Sequence, residues 1–516
     1  MAIRFILCRN WFAKAALSIT LLVSIQACKK EYITEQTIVA PPPADENAIL
    51  TKFWLSPDVN ADYIHDSIVF DINGSLITGR IPYYSSVKAL VPSFETNGEK
   101  VMVNGVAQTS GSSSQDFGTT VQYTVAGKNG AESQYSVNLI NFTGLPVLKI
   151  NTVGDAPVTT KDTYVNGTLK FDGAGLFADA ETPLQIRGRG NSTWGMPKKP
   201  YKLKLGTKQS FFNAPESKDW VLLANYTDKS QLRNDLALFM GSISELEWTP
   251  RSHFVELFLN EVYQGTYQLC EGIEVGEDRV NITDEGFLLE VDQENRMEPD
   301  DVYFKTGIFL LNIKEPEVSK DDAKYNFIKN HVITIQSTLY GANFKDPENG
   351  YAKYLDVASF VDWFLINEIS KNNDAAFVTS CYMNMAPGGK LKMGPLWDFD
   401  IAFGNINYNG NNSPQGFWVQ GAPWIARLFQ DPAFVEKVKT RFAYFKSKKQ
   451  EIFNEINKNA TSLKWSALEN NNRWRTLYAQ TWPNYAIWGS YDNEVMYLKN
   501  WLNARMDWLE GALNGL

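Results

Sequence analysis

A chain of 516 residues is too long for one hydrophobic core and implies two or three domains. With 44% hydrophobic and 21% charged residues, its composition is that of an ordinary globular protein and excludes wholesale disorder. A net charge of −9, with Lys198-Lys199 only a local basic pair, excludes nucleic acid as a partner.

The chain opens on a targeting segment, residues 1–27. Arg4, Arg9 and Lys14 precede the apolar run from Ala15 to Val23, which is short for a spanning helix. Ile25-Gln26-Ala27-Cys28 then resembles a bacterial lipoprotein box, with Cys28 as the lipidated residue. An ordinary signal peptide and an inner-membrane anchor are the alternatives. Lys29, Lys30 and Glu31 follow, with no Asp next to Cys28, which points to the outer membrane. The expected place is therefore the cell envelope, lipid-anchored, facing the periplasm or the surface. Cys8 falls in the signal, and Cys270 with Cys381 makes neither a disulfide framework nor a zinc site. His65, His253 and His331 show no clustered spacing, so a zinc or Ser-His-Asp engine is excluded as well.

Residues 28–49 contain Pro41-Pro42-Pro43 among polar residues and read as a semi-rigid extended spacer. From 50 to 143, short β-rich runs alternate with turn residues: Ser67–Gly74, Val101–Gly105, Thr119–Val125 and Tyr135–Ile140. Asn-Gly pairs, Asn73-Gly74 and Asn104-Gly105 among them, punctuate these runs, and the spacing predicts a small β-sandwich of immunoglobulin-like kind. A spacer is the commoner role for such a module; a sugar or protein ligand is the alternative.

From residue 145 onward the pattern is α+β. Gln185-Ile186-Arg187 and Tyr201-Lys202-Leu203-Lys204-Leu205 are strand-like, with Lys202 and Lys204 on one face. The turn Arg187-Gly188-Arg189-Gly190-Asn191-Ser192 offers glycines, backbone N–H groups and fixed positive charge, which suit an anion. It matches neither G-x-G-x-x-G nor the Walker pattern. Asp228 to Ser242 reads as a helix with apolar Leu232, Leu236, Phe239 and Met240, and with Arg233 and Asp235 on other faces. Glu256 sits mid-strand among apolar residues, and Glu271 ends the strand Thr266–Glu271. Pairing with Arg187, Arg189 or Arg251 is the plain explanation for both acids. Phe287–Asp292 is a further buried strand with acids alternating at its end.

Asp356 is placed as an N-cap, and Val357, Phe360, Val361, Phe364 and Leu365 form a helical stripe that runs into Lys371-Asn372-Asn373-Asp374. A short hairpin follows around Pro387-Gly388-Gly389, then Leu396-Trp397-Asp398-Phe399-Asp400. If that last stretch is a strand end, Asp398 and Asp400 point the same way, with Trp397 and Phe399 toward the core. Two carboxylates held together repel, and a divalent cation is the usual reason to tolerate this; a pair of solvated loop acids is the alternative. Helix, Asn/Asp loop, hairpin and acidic strand end in that order are how kinase-type phosphotransferases place a base and a metal ligand. The last third is helical and aromatic. Leu498, Trp501, Leu502, Arg505, Trp508 and Leu509 form a stripe that reads as core, with a carbohydrate platform on Trp465, Trp474, Trp482 and Trp488 as the alternative.

Several blocks together resemble one family. Ile186–Trp194 followed by Pro197–Leu205, Trp220–Asn225, Leu232–Leu236, Thr249-Pro250-Arg251, the Val255-to-Tyr267 hairpin and Gly394–Ala402 are similar to the signature of the spore-coat-protein-H (CotH) family. The resemblance spans residues 145–516. It implies a reduced kinase-like, two-lobed α+β domain with a Trp-rich helical end, and Mg2+- (or Mn2+-) and ATP-dependent phosphoryl transfer to a protein acceptor or surface polymer. In that frame Asp374 is the catalytic acid that orients the acceptor hydroxyl, Asp398 the main metal ligand and Asp400 its support. Lys202 or Lys204 meets nucleotide phosphate, Arg187 and Arg189 line the anion site, and Glu271 lies where the base would meet a hinge. The resemblance also suggests that Arg233 or Asp235 pairs across the cleft, where a surface salt bridge is the alternative. The competing function is an envelope lipoprotein whose kinase-like cleft is idle, serving as a scaffold or binding carbohydrate or protein.

Overall fold

The computed structural model describes residues 48–62, 64, 67–82 and 85–516, so the signal segment, Cys28 and nearly all of the proline spacer lie outside the described residues. The first described strands are β1 (Leu50–Leu55), β2 (Ile68–Val69), β3 (Asp71–Asn73), β4 (Leu76–Arg80) and β5 (Pro92–Thr96), with one helical turn, α1 (Pro57–Asn60), after β1. There follow β6 (Lys100–Val103), β7 (Val106–Ala107), β8 (Val121–Ala126) and β9 (Glu132–Ile140). They pair as two sheets, β2-β1-β5 and β3-β4-β9-β8-β6-β7. Alternation explains the pattern: Val121, Tyr123 and Val125 of β8 are buried while Gln122 between them is exposed. Both sheets cover one hydrophobic cluster drawn from residues 48–139, in which Phe53 and Tyr123 meet edge to face with centroids 5.4 Å apart. Arg80 of β4 lies 3.9 Å over the ring of Trp465 and ties this β unit to the body that follows.

Seven strands come next: β10 (Val147–Thr152), β11 (Val165–Asp172), β12 (Ala180–Gly188), β13 (Tyr201–Gln209), β14 (Ser217–Leu223), β15 (Ser252–Leu259) and β16 (Val262–Glu271). They close into a barrel, β10-β11-β12-β13-β14-β16-β15, antiparallel throughout except for the β10–β15 pair that seals it. Ile186, Leu203, Trp220 and Leu257 fill the interior. By the two-residue period, Arg187 and Lys202, direct cross-strand neighbours on β12 and β13, stand on the outside.

Between β14 and β15 runs α2 (Arg233–Ser242). It starts five residues later than the pattern suggests, because the Asp228 carboxylate takes the N–H groups of Ser230 (3.0 Å) and Arg233 (2.8 Å), and Gln231 adopts a positive φ of 61°. That makes a capping turn rather than a helix.

The rest comprises β17 (Phe287–Asp292), β18 (Tyr303–Lys305), β19 (Leu310–Glu315), α3 (Ala323–Tyr340), α4 (Val357–Ser370), β20 (Cys381–Met385) and β21 (Lys392–Met393). Helices α5 (Pro423–Leu428), α6 (Pro432–Ser447), α7 (Lys449–Trp474) and α8 (Tyr491–Asn514) complete it. The sheet order is β18-β19-β17-β20-β21. Asp356 caps α4 as read from the sequence, accepting from the Ser359 N–H at 2.9 Å. The predicted stripe understates the burial of α4, which is enclosed on every side from Ser359 to Ser370. Buried Arg505 of α8 holds it, pairing with Glu368 at 2.6 Å. The mixed α+β class read from the sequence is what the chain shows. Among the described residues no helix is long and apolar enough to cross a membrane.

A second local expectation fails. The chain from Gly394 to Phe399 is not a strand, and Asp398 has a left-handed φ of 65°. The Phe399 N–H goes to the Asn234 side chain at 2.7 Å instead of a ladder partner, so a side-chain amide on α2 replaces the sheet and the strict alternation is lost. Phe399 is buried as expected, whereas Trp397 is half-exposed.

Candidate active site

A cavity of about 1050 Å³ lies between the barrel and the β17–β21 sheet. One wall comes from the barrel exterior, with Arg187, Arg189 and Lys202. The other comes from the sheet and the loops after α4 and β21, with Asp292, Asp374, Asp398 and Asp400. Folding thus brings Asp292 and Asp374 to the Asp398–Asp400 pair, from which the sequence keeps them apart.

The loop after α4 is pinned where it carries Asp374. Lys371 takes a left-handed φ of 48° and donates its ammonium to the carbonyls of Gly410 (3.1 Å), Ser413 (3.0 Å) and Gln415 (2.6 Å). Asn372 reaches the Asp398 carbonyl at 3.3 Å, and Asn373 donates to the Asp374 carboxylate at 3.1 Å. Asp400 accepts from Thr227 at 2.9 Å, and Arg233 of α2, ion-paired with Asp228, donates to the Ala402 carbonyl at 3.1 Å. Arg233 is therefore a buried brace that reaches the acidic loop. Asp235 instead accepts from Asn459 at 2.6 Å, so neither residue makes a surface salt bridge.

Burial first, and then the charge of Asp398, push the Asp374 carboxyl up to about 6. Asp400 is raised by burial and next by Asp398. Asp398 is raised by burial, with Arg189 and Arg296 pulling the other way, and it lies close enough to hydrogen-bond Asp400. A proton shared between crowded carboxyls is what a cation replaces. Hard carboxylate oxygens on one wall, with room for water and phosphate beside them, fit Mg2+ or Mn2+, which needs one or two protein carboxylates. Among the described residues no three His, Cys, Asp or Glu side chains form a ready cage.

On the opposite wall the structure separates the two lysines. Lys202 lines the cavity, 3.8 Å from Asp219, while Lys204 is exposed and outside it. Lys204 lies about 7 Å farther along β13 at the rise of a strand, so a shared face is not a shared site. Arg189 lies 5.2 Å over the ring of Trp397, and Arg187 donates to the Lys161 carbonyl and keeps a buried Nε with no partner. Gly190 has a φ of 80°, and a Cβ there would meet Thr193 Oγ1 at 2.2 Å, so glycine is required in this turn.

Glu271 is not at the site. It is fully buried and held by Arg251 through Nε (2.8 Å), Nη2 (2.9 Å) and the backbone N–H (2.8 Å), with Arg279 at 3.9 Å. It is a structural acid, because a bidentate arginine fork leaves it no free oxygen. Glu256 meets none of the three arginines named for it. Thr143 (2.5 Å) and Tyr263 (2.7 Å) satisfy it, within the field of buried Lys198.

Sequence reasoning missed Asp292, Glu290 and Arg296. The spacing of Glu290 and Asp292 puts both on one face of β17, a legible signal, but nothing local says that this face borders the cavity. Arg296 donates to Thr379 at 2.9 Å, which donates to Asp292 at 2.7 Å.

A family model described as "CotH kinase protein" matches residues 186–509, well over half of the chain. The chain belongs to the CotH kinase family. Apart from Lys161, Asp162 and Tyr164, the cavity lining falls inside the matched span, and the CotH assignment supports a kinase-like domain there, with nucleotide and metal use in general. The β unit before residue 140 lies outside it. No curated protein matches the chain. One solved structure, described as a "putative glycoside hydrolase from bacteroides thetaiotaomicron vpi-5482", is 13% identical and covers 56% of this chain and 89% of its own. Its TM-score of 0.16 is too low to carry a structural argument.

Proposed function

We propose that this CotH chain is a Mg2+- and ATP-dependent phosphotransferase of kinase-like, two-lobed organisation. In that reading the barrel is the phosphate-binding half, and the sheet with α3–α8 is the half that holds the cation and the acceptor. The observation that carries it is the cavity in which Arg187, Arg189 and Lys202 face Asp374, Asp398 and Asp400.

Phosphoryl transfer asks for positioning and charge more than covalent chemistry. Asp398, supported by Asp400, would hold a divalent cation, which when bound neutralises phosphate charge. Arg187, Arg189 and Lys202 orient the nucleotide phosphates from the other side. Asp374, rigid in its pinned loop and poised near 6, accepts the proton of an acceptor hydroxyl at neutral pH. The acceptor hydroxyl belongs to a protein or a surface polymer. An idle scaffold is the second reading, favoured by the lack of a ready metal cage among the described residues. Against it, an idle cleft has no electrostatic need to keep three destabilising acids beside one another.

The same proposal sets residues 145–516 as the kinase-like domain, 50–143 as a spacer module, and Cys28 as a lipid anchor that holds both in the cell envelope, facing the periplasm or surface of the outer membrane. Transfer of label from γ-labelled ATP tests the activity: wild type labels an envelope acceptor or turns over ATP, and Asp374→Asn loses this while keeping its fold. Equal activity in Asp374→Asn refutes the assigned role.

A further inference from the structure

The connector between α7 and α8 carries a feature that phosphate chemistry leaves unused. Among the described residues six aromatic side chains are exposed, and four of them, Tyr478, Trp482, Tyr485 and Trp488, lie in this connector. Trp482 is 60% exposed and yet borders the cavity. Its ring lies on that of Tyr408, with centroids 6.0 Å apart and planes 12° from parallel. Leaving an indole in water forfeits the stabilisation that its burial would supply.

Nor is the indole loosely held. Two residues on, fully buried Asn484 donates to the Thr227 carbonyl (2.6 Å) and to Asn405 (2.9 Å), and accepts from Lys229 (2.7 Å). Thr227 is the residue that donates to Asp400, so the shelf is fixed relative to the acids. Tyr408 lies on the acidic side of the cavity, within the field of Asp374 and Asp400.

We propose that the Trp482–Tyr408 stack is a docking shelf for a sugar ring, and that the acceptor is a hydroxyl of a neutral saccharide. This rests on the phosphotransferase reading and names its acceptor. The face of an indole is the negative pole of its quadrupole. The C–H face of a pyranose, polarised by its oxygens, complements it, while the equatorial hydroxyls reach sideways to carboxylates. With Asp398 and Asp400 assigned to a cation, the uncompensated Asp374 carboxylate repels an anionic acceptor and accepts a neutral one. In the transfer, the sugar oxygen bonds to the γ-phosphorus and the bond to the β–γ bridging oxygen breaks. ADP leaves with that electron pair, and the hydroxyl proton passes to Asp374.

The test titrates the full chain, without nucleotide, with cellohexaose, maltohexaose and mannohexaose, and separately with Mg-ATP. At least one oligosaccharide is expected to bind. Trp482→Ala should weaken it by about tenfold, while Trp482→Phe, which keeps a ring, loses much less. The bound sugar should then take label from γ-labelled ATP. The shelf is refuted if no oligosaccharide binds, if Trp482→Ala binds it as well as wild type, or if the variant loses ATP affinity instead. Label on a serine peptide but on no sugar overturns the acceptor. Sugar binding without any ATP binding supports the shelf and overturns the phosphotransferase reading beneath it.

Discussion

Replacing Asp398 by Asn removes one negative charge from a wall where Asp374 and Asp400 stand beside it. The rise of Asp374 from 3.8 to about 6 corresponds to about 3 kcal/mol at about 1.4 kcal/mol per unit. Burial is the larger cause and Asp398 the second, so the share of Asp398 is about 1 kcal/mol. Relief at Asp400 adds to it, and lost attraction to Arg189 and Arg296 subtracts. The net expectation, with divalent ions chelated, is a gain of about 1 kcal/mol near pH 8, or about 1 °C in Tm for a domain of this size. A carboxyl whose native pKa is raised holds a proton that the unfolded chain releases. Stability is therefore lost as pH rises from 3.8 through about 6. The gain in Asp398→Asn should accordingly fade near pH 5, where Asp374 is protonated in both proteins. Thermal melts of both chains at the two pH values, with chelator and with Mg2+, supply the readout. Wild type should gain more from Mg2+ at the higher pH, and the variant little. If Asp398→Asn is destabilised equally at both pH values, the crowding of the acids is not real.

Further outcomes follow from the same contacts. Lys202→Ala should weaken nucleotide binding by about tenfold and Lys204→Ala leave it unchanged, as calorimetry will tell. Glu271→Gln should lower stability by about 2–3 kcal/mol in denaturant melts, through a weakened hold on Arg251, yet bind nucleotide normally; a loss of affinity would revive the hinge role. Glu368→Ala strands buried Arg505 and should cost about 3–5 kcal/mol, read in the same melts. The transfer rate should fall as pH drops below about 6, because Asp374 then carries its proton and cannot take another.

What the sequence made legible was local. The Asp356 cap, helix α4, the polar stop at Lys371 and the β20–β21 hairpin follow from capping, period and turn residues. The gathering of Asp374, Asp398 and Asp400 was legible through chain order and family resemblance together. Distance and curvature hid the rest. The barrel closes by pairing Val147 with Glu256, which no local pattern encodes. Lys202 and Lys204 share a strand face, and only how far the cavity extends along β13 decides which one meets it. Asp398 leaves the strand period because Asn234, far away in sequence, takes the hydrogen bond of Phe399. For Glu271 the sequence offered both a hinge role and a pairing with Arg251, and the β15–β16 pairing that delivers Arg251 decides for the second.

Calorimetric titration of Mg-ATP into the full chain and into Asp398→Ala, with the fold of each checked by circular dichroism, bears most directly on the cavity. Saturable binding by wild type that needs the metal, and its loss in a folded Asp398→Ala, is the predicted result. No binding by wild type at millimolar Mg-ATP, or equal binding by the variant, would contradict a cation held between these acids and a nucleotide.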